Sequence, residues 1–112
     1  MLVLIEEEFQ VSSRPFRLRL VKYANGCILS LSEGSEDRLG GVYLTLKGEK
    51  TLTSTTIIPD RFGGPFLEIL GQSLANHIGG IGITTLYLKG TLTPEEASQI
   101  LSKVNSMLSA YT

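Results

Sequence analysis

Apolar and polar residues alternate along the first half of the chain, and a period of three to four residues takes over in the second. Val3, Ile5, Phe9 and Val11 fall on one side of a strand over residues 3–11, with Leu4, Glu6, Glu8 and Gln10 on the other. Residues 16–23 alternate in the opposite phase, Phe16, Leu18 and Leu20 against Arg17, Arg19 and Val21. The turn formers Ser12-Ser13-Arg14-Pro15 join the two. An antiparallel register that faces Phe9 with Phe16 also sets Ile5 against Leu20 inside. Outside, it sets Glu8 against Arg17 and Glu6 against Arg19. A slip of one residue would oppose apolar and charged side chains, so this register is selected.

Asn25-Gly26 is a hairpin signal, because both central positions of a type I′ turn need φ > 0. It predicts Ala24 against Cys27, Leu20 against Leu31, and a third strand over 27–33. A polar loop follows and ends at Gly40-Gly41. The fourth strand then places Val42, Leu44 and Leu46 inside and Tyr43 and Thr45 outside. Residues 51–58 are a β-branched fifth strand. The breaker cluster 59–64 leads to Pro65 at the start of a helix over 65–78, whose apolar positions are Phe66, Leu67, Ile69, Leu70, Leu74 and Ile78. Gly79-Gly80 reads as its C-terminal cap. Residues 83–89 form a sixth strand, and Thr93-Pro94-Glu95-Glu96 is a capping box. Ala97, Ile100, Leu101, Val104, Leu108 and Tyr111 trace the stripe of the last helix. The order β-β-β-β-β-α-β-α predicts one α+β domain over 1–112, an antiparallel β-meander with two helices packed on one face.

Composition narrows the function. A chain of 112 residues supports a single core, and 42% hydrophobic with 19% charged residues excludes a disordered chain. A net charge of −1 provides no field to grip nucleic acid or an anionic membrane. The single cysteine, Cys27, has no internal disulfide partner, and the single histidine, His77, does not begin a Cys/His metal cluster. The apolar run 1–5 is too short to span a bilayer and lacks the basic start of a signal peptide, so the chain reads as cytoplasmic.

Candidate chemistry is sparse. Glu6 and Glu8 share a strand face, but Arg19 and Arg17 account for them as cross-strand ion pairs. Phe62-Gly63-Gly64-Pro65 enters a helix N-terminus, where anions bind, yet no Gly-Lys-Ser/Thr follows and Pro65 removes one amide. Gly79-Gly80-Ile81-Gly82 follows a helix, the reverse of a dinucleotide fingerprint. A basic stripe of Arg14, Arg17, Arg19 and Lys22 has only Tyr23 as an aromatic companion, where single-strand binders use several. A Cys27–His77 pair would have to be brought together by folding. The expectation is a protein-contact domain with no catalytic group, cofactor, metal, nucleic acid or membrane.

The run Thr-Thr-Ile-Ile-Pro-Asp-Arg-Phe-Gly-Gly-Pro-Phe-Leu-Glu-Ile-Leu-Gly-Gln-Ser-Leu-Ala-Asn-His-Ile over 55–78 resembles the proteasome assembly chaperone 3 family, as does Leu86-Tyr87-Leu88-Lys89 ahead of the last helix. Residues 14–46 are similar to that family's hairpin succession, and the likeness spans roughly 6–108. The loop 33–39 departs from the pattern. The resemblance, shared with the fourth assembly chaperone, implies a non-enzymatic chaperone that binds α subunits while the 20S α-ring is built. It implies a dimer, which in an archaeal homologue with one gene product would be a homodimer. Exposed candidates for client contact are Glu36 and Arg38 in the polar loop, Arg61 and Phe62 in the Gly/Pro loop, and the outward arginines Arg14, Arg17 and Arg19. Arg61-Phe62 is composed like an interface anchor, while Phe62 could equally tuck under the helix as a staple. Val21, Tyr23, Ile28 and Tyr43 are the candidate dimer face. The alternative is an adaptor of longin, roadblock or profilin type that serves a small GTPase or cytoskeletal partner. Five strands before the first helix disfavour it. A third reading is a small-molecule-binding or enzymatic domain with an anion at Gly63-Gly64.

Overall fold

The elements follow in the order β1 (Val3–Val11), β2 (Arg14–Tyr23), β3 (Gly26–Glu33), β4 (Gly41–Lys47), β5 (Leu52–Ile58), α1 (Phe66–His77), β6 (Gly80–Tyr87) and α2 (Pro94–Tyr111). The computed structural model describes residues 2–62 and 64–112. The β1–β2 pairing is the register that the side-chain pattern selects, with Phe9 on Phe16, Ile5 on Leu20, Glu8 on Arg17 and Glu6 on Arg19. The turn is shorter than the composition suggests. Only Ser12 and Ser13 lie outside the strands, at φ of 52° and 64°. That is the left-handed pair of a two-residue hairpin, built here from residues that adopt it reluctantly.

Asn25-Gly26 behaves differently. Neither residue takes a left-handed φ, and β3 pairs with β2 two residues away from the expected register, Tyr23 on Gly26 and Leu20 on Leu29. A shift of two preserves parity, so Leu18, Leu20, Leu29 and Leu31 all remain buried. Gly26 serves close approach instead. A Cβ there would lie 2.1 Å from the carbonyl oxygen of Ile81 on the neighbouring strand.

The sheet is mixed, which corrects the expected meander. Its order is β1-β2-β3-β6-β4-β5, with β6 parallel to β3 and antiparallel to β4. Residues 79–88 carry no charge, so this strand suits the centre, where both backbone edges find partners and Thr84 and Leu86 are buried. Because β5 and β6 are both antiparallel to β4, they run the same way and need a crossover, which α1 supplies.

Both helices cover one face. α1 buries Phe66, Leu67, Leu70 and Leu74, together with Gly71 and Ala75; Ile69, expected on this stripe, is exposed. Gly71 makes room for the ring of Tyr43, which a Cβ would approach to 2.1 Å. The Gln72 amide donates to the Tyr43 hydroxyl at 3.0 Å. β4 therefore sits in the opposite phase from the expected one. Tyr43 and Thr45 lie under α1 with 4% exposure each, and Val42, Leu44 and Leu46 face away. Pairing with β6 fixes this parity, Tyr43 on Thr84 and Thr45 on Gly82, and the absent Gly82 side chain leaves space for the Thr45 hydroxyl.

α1 ends without the predicted glycine cap. Ile78 is extended, and its N–H donates to Leu74 O at 3.1 Å. Gly80, at φ of 80°, instead turns the chain into β6, close against Asn25 O. α2 starts on the predicted capping box, with Thr93 Oγ1 accepting from Glu96 N and Glu96 Oε1 accepting from Thr93 N. Ile100, Val104, Met107 and Leu108 are buried. Tyr111 is half-exposed, and its carbonyl accepts from Lys22 Nζ at 2.8 Å.

Candidate functional site

The face of the sheet away from the helices divides along its strands into two ends. One row across it runs Leu4, Val21, Ile28, Ile83, Leu44 and Thr55, and the next continues through Tyr23, Gly26, Ile81, Leu46 and Thr53. Leu46 is 57% exposed, Leu4 and Tyr23 49% each, and Ile81 43%; Val21, Ile28, Leu44 and Ile83 are half-buried. Among the described residues, no element covers this apolar band. Val21, Tyr23 and Ile28 lie in it as the alternation predicted. Tyr43 does not, since it is inside under α1; Leu44 takes its place. Leu44 and Leu46 escaped sequence reasoning because the apolar positions of the fourth strand were assigned inward, whereas Ile81 lies before the expected sixth strand, 83–89, and no face was read for Ile83.

The other end is charged and closed on itself. Arg17 pairs with Glu8 and, through Nε, with Asp37 at 3.1 Å. Arg19 reaches Asp37 at 3.4 Å, and its Nε lies 3.1 Å from Glu6, off the hydrogen-bonding direction. The loop after β3 supplies Asp37 by folding back over this end. Ser32 Oγ donates to Glu36 O and accepts from Arg38 N, and Gly40 N donates to Thr85 Oγ1. Arg38 pairs with Glu36 at 3.1 Å and stacks over Tyr87. Glu36 and Arg38 are exposed. Arg17 and Arg19 are outward but occupied.

Arg14 corrects the expectation outright. It lies on the helix-facing side of β2, only 19% exposed in its side chain, and is consumed by internal partners. Its Nε and Nη2 donate to the two oxygens of Glu33 at 3.0 and 2.7 Å. Its Nη1 donates to Glu96 Oε1 and Thr91 O, and Nη2 also reaches Gly90 O. The bidentate Arg14 bond holds the Glu33 carboxyl below the usual carboxylate range, against the cost of its burial and with help from the Lys89 amide. Glu96 is likewise lowered, first by the Thr93 amide. This cluster fastens α2 to the sheet, so it is structural.

Phe62 is partly buried against the core, with the Arg61 guanidinium over its ring at 5.4 Å. The tucked arrangement thus prevails, although the ring still lines a groove of about 350 Å3 with Pro65, Phe66, Ile69, Leu92 and Ala97. Asp60 also lines this groove, and burial pushes its carboxyl up despite the Phe62 and Arg61 amides. An acid beside the start of α1 opposes an anion there. Gly63, half of the glycine pair considered for that anion, lies outside the described residues, as does Met1.

The remaining reactive groups are accounted for locally. His77 Nδ1 contacts Ser73 O at 2.9 Å, and Nε2 contacts Ser109 Oγ at 3.3 Å. Burial raises the Cys27 thiol above its usual range, away from the nucleophilic thiolate. Among the described residues, no three His, Cys, Asp or Glu side chains are grouped to hold a metal ion. None of the helices among them is long and apolar enough to cross a membrane.

Two helices on one face of a six-stranded mixed sheet, with an open apolar band on the other, make an α+β domain. No protein-family model matches the chain, and no curated protein matches it by sequence. Its fold is similar to a chain in the crystal structure of a chaperone complex for yeast 20S proteasome assembly. The TM-score is 0.55 at 10% identity, covering 97% of this chain and 91% of that one.

Proposed function

We propose that this chain is a non-enzymatic assembly chaperone that binds proteasome α subunits while the 20S α-ring forms. One observation carries the reading: the likeness to the yeast chaperone extends over essentially the whole of both chains. The loop 33–39, which departed from the family pattern in sequence, is accommodated as a strap over the charged end of the sheet. The working unit is a homodimer closed by the apolar band, with Val21, Tyr23, Ile28 and Leu44 at its centre. Client contact falls to the exposed loop residues Glu36, Arg38 and Arg61, with Phe62 at the groove edge. A modest, partly polar surface of that kind suits a factor that later subunits must displace.

Mixing the purified chain with a 20S α subunit, free and as preformed ring, and weighing the products by native mass spectrometry tests this. A complex with the free subunit is expected. Absence of complex with either form up to about 100 μM, a free energy of only ~5.5 kcal/mol, overturns the reading.

A further inference from the structure

The two helices meet near their C-termini and part at their beginnings. His77 Nε2 contacts Ser109 Oγ at 3.3 Å where α1 ends. At the other end a groove of about 350 Å3 lies between the helix starts, lined by Phe62, Pro65, Ile69, Leu88, Leu92 and Ala97. Phe62, Leu92 and Ala97 pack on the core yet are only half-buried, and Ile69 is 38% exposed. Ile69 belongs to the apolar stripe of α1, and the groove is what it faces in place of a neighbour. An apolar side chain that displaced water from these walls would be stabilised there.

One charged residue enters the lining, Asp60, which is half-buried. Its carboxyl accepts from the amides of Phe62 and Arg61, which leaves about two of its roughly four acceptor sites open. Arg61 does not neutralise it, since that guanidinium is turned over the Phe62 ring. The first turns of the helices add Glu68 and Glu95, both exposed. Asp60, Glu68 and Glu95 enter no ion pair among the described residues. The positive ends of the two helix dipoles are thus already matched by acids of this chain. What the groove lacks is a cation beside an apolar body.

We infer that this groove is a docking site for a segment of a partner protein in which a large apolar side chain stands next to a Lys or Arg. The apolar side chain fills the space between Ile69 and Ala97, and the cation pairs with Asp60. A volume at the low end for small-molecule pockets, set between two helices, suits one or two anchoring side chains of such a segment. In assigning that segment to the client α subunit, the inference rests on the function proposed above. Binding of an isolated peptide is weak, with a Kd of roughly 0.1–1 mM.

The test is a titration of the isotope-labelled chain with acetyl-Lys-Leu-Phe-Lys-amide, followed by amide chemical shifts. Saturable shifts at Ile69, Leu92 and Ala97 are expected, and the Glu-Leu-Phe-Glu and Lys-Ser-Ser-Lys counterparts should bind at least about tenfold more weakly. Asp60→Asn keeps a carbonyl oxygen for the loop amides and should erase the preference for Lys over Glu. Ile69→Ser, at an exposed position, should weaken the Lys peptide by about tenfold. Absence of saturable shifts at these residues up to about 10 mM overturns the inference. So does a preference for Lys that survives Asp60→Asn, or a response centred on Val21 and Ile28. Phenethylamine bound as tightly as the peptide makes the groove a small-amine site, which also overturns it. The same variants are then mixed with the α subunit. A complex that neither substitution weakens sinks the groove as client site and leaves the chaperone reading standing. Peptide binding without any α-subunit complex sinks the chaperone reading and leaves the groove.

Discussion

The two ends of the outward sheet face are made by the same strands, a few residues apart, and they differ in what is left over. At one end Arg17 and Arg19 meet Glu8, Glu6 and Asp37, so opposite charges are already matched within the chain. At the other, Leu4, Tyr23, Ile81 and Leu46 remain 43–57% exposed. Visible charge is therefore a poor guide to where a partner sits: an arginine with satisfied donors has little to gain from one. Exposed apolar area gains from any dry surface that covers it.

The sharpest way to break this contrast is Ile28→Glu, in the centre of the apolar end. Self-association by sedimentation should weaken at least about a hundredfold, while Arg17→Glu at the charged end leaves it within roughly threefold. Equal effects would erase the distinction between the ends. Next in size is Arg14→Ala, which strands Glu33 beneath α2 and should cost about 2–3 kcal/mol in urea unfolding. Arg17→Ala, its counterpart on the outward side, should leave the midpoint unmoved.

Acid should separate the same two arginines. The folded chain binds the Glu33 proton more weakly than the unfolded chain does. Its contribution is thus complete above the ordinary carboxylate value of about 4.3 and is lost as pH falls below that, through the lower folded value. A pH series of urea midpoints should therefore fall less steeply below pH ~4 for Glu33→Gln than for the native chain. The smallest effect expected is a gain. Ser12→Asn with Ser13→Gly places residues suited to positive φ in the first turn and should add about 1 kcal/mol.

The hairpins show where sequence reasoning carries and where it stops. Register of β1 on β2 was legible because a wrong one opposes Phe with Arg, a penalty felt between two neighbouring segments. The capping box of α2 was legible for the same reason, being complete within four residues. Gly26 misled because a glycine serves either a left-handed turn or a close neighbour. That neighbour, Ile81, is 55 positions away in the chain. β4 misled likewise: alternation names two faces but does not say which is inside, and Tyr43 went in because Gly71 and Gln72 receive it.

The sequence by itself determined the eight elements, their order, and the parity of β1, β2 and β3, all of which rest on interactions between residues close in the chain. Tertiary structure alone decided that β6 enters between β3 and β4, that Arg14 is an internal clamp, and that Leu44 faces outward. Each of these depends on which distant backbone lies within hydrogen-bonding reach. Periodicity along one strand holds no information about that choice.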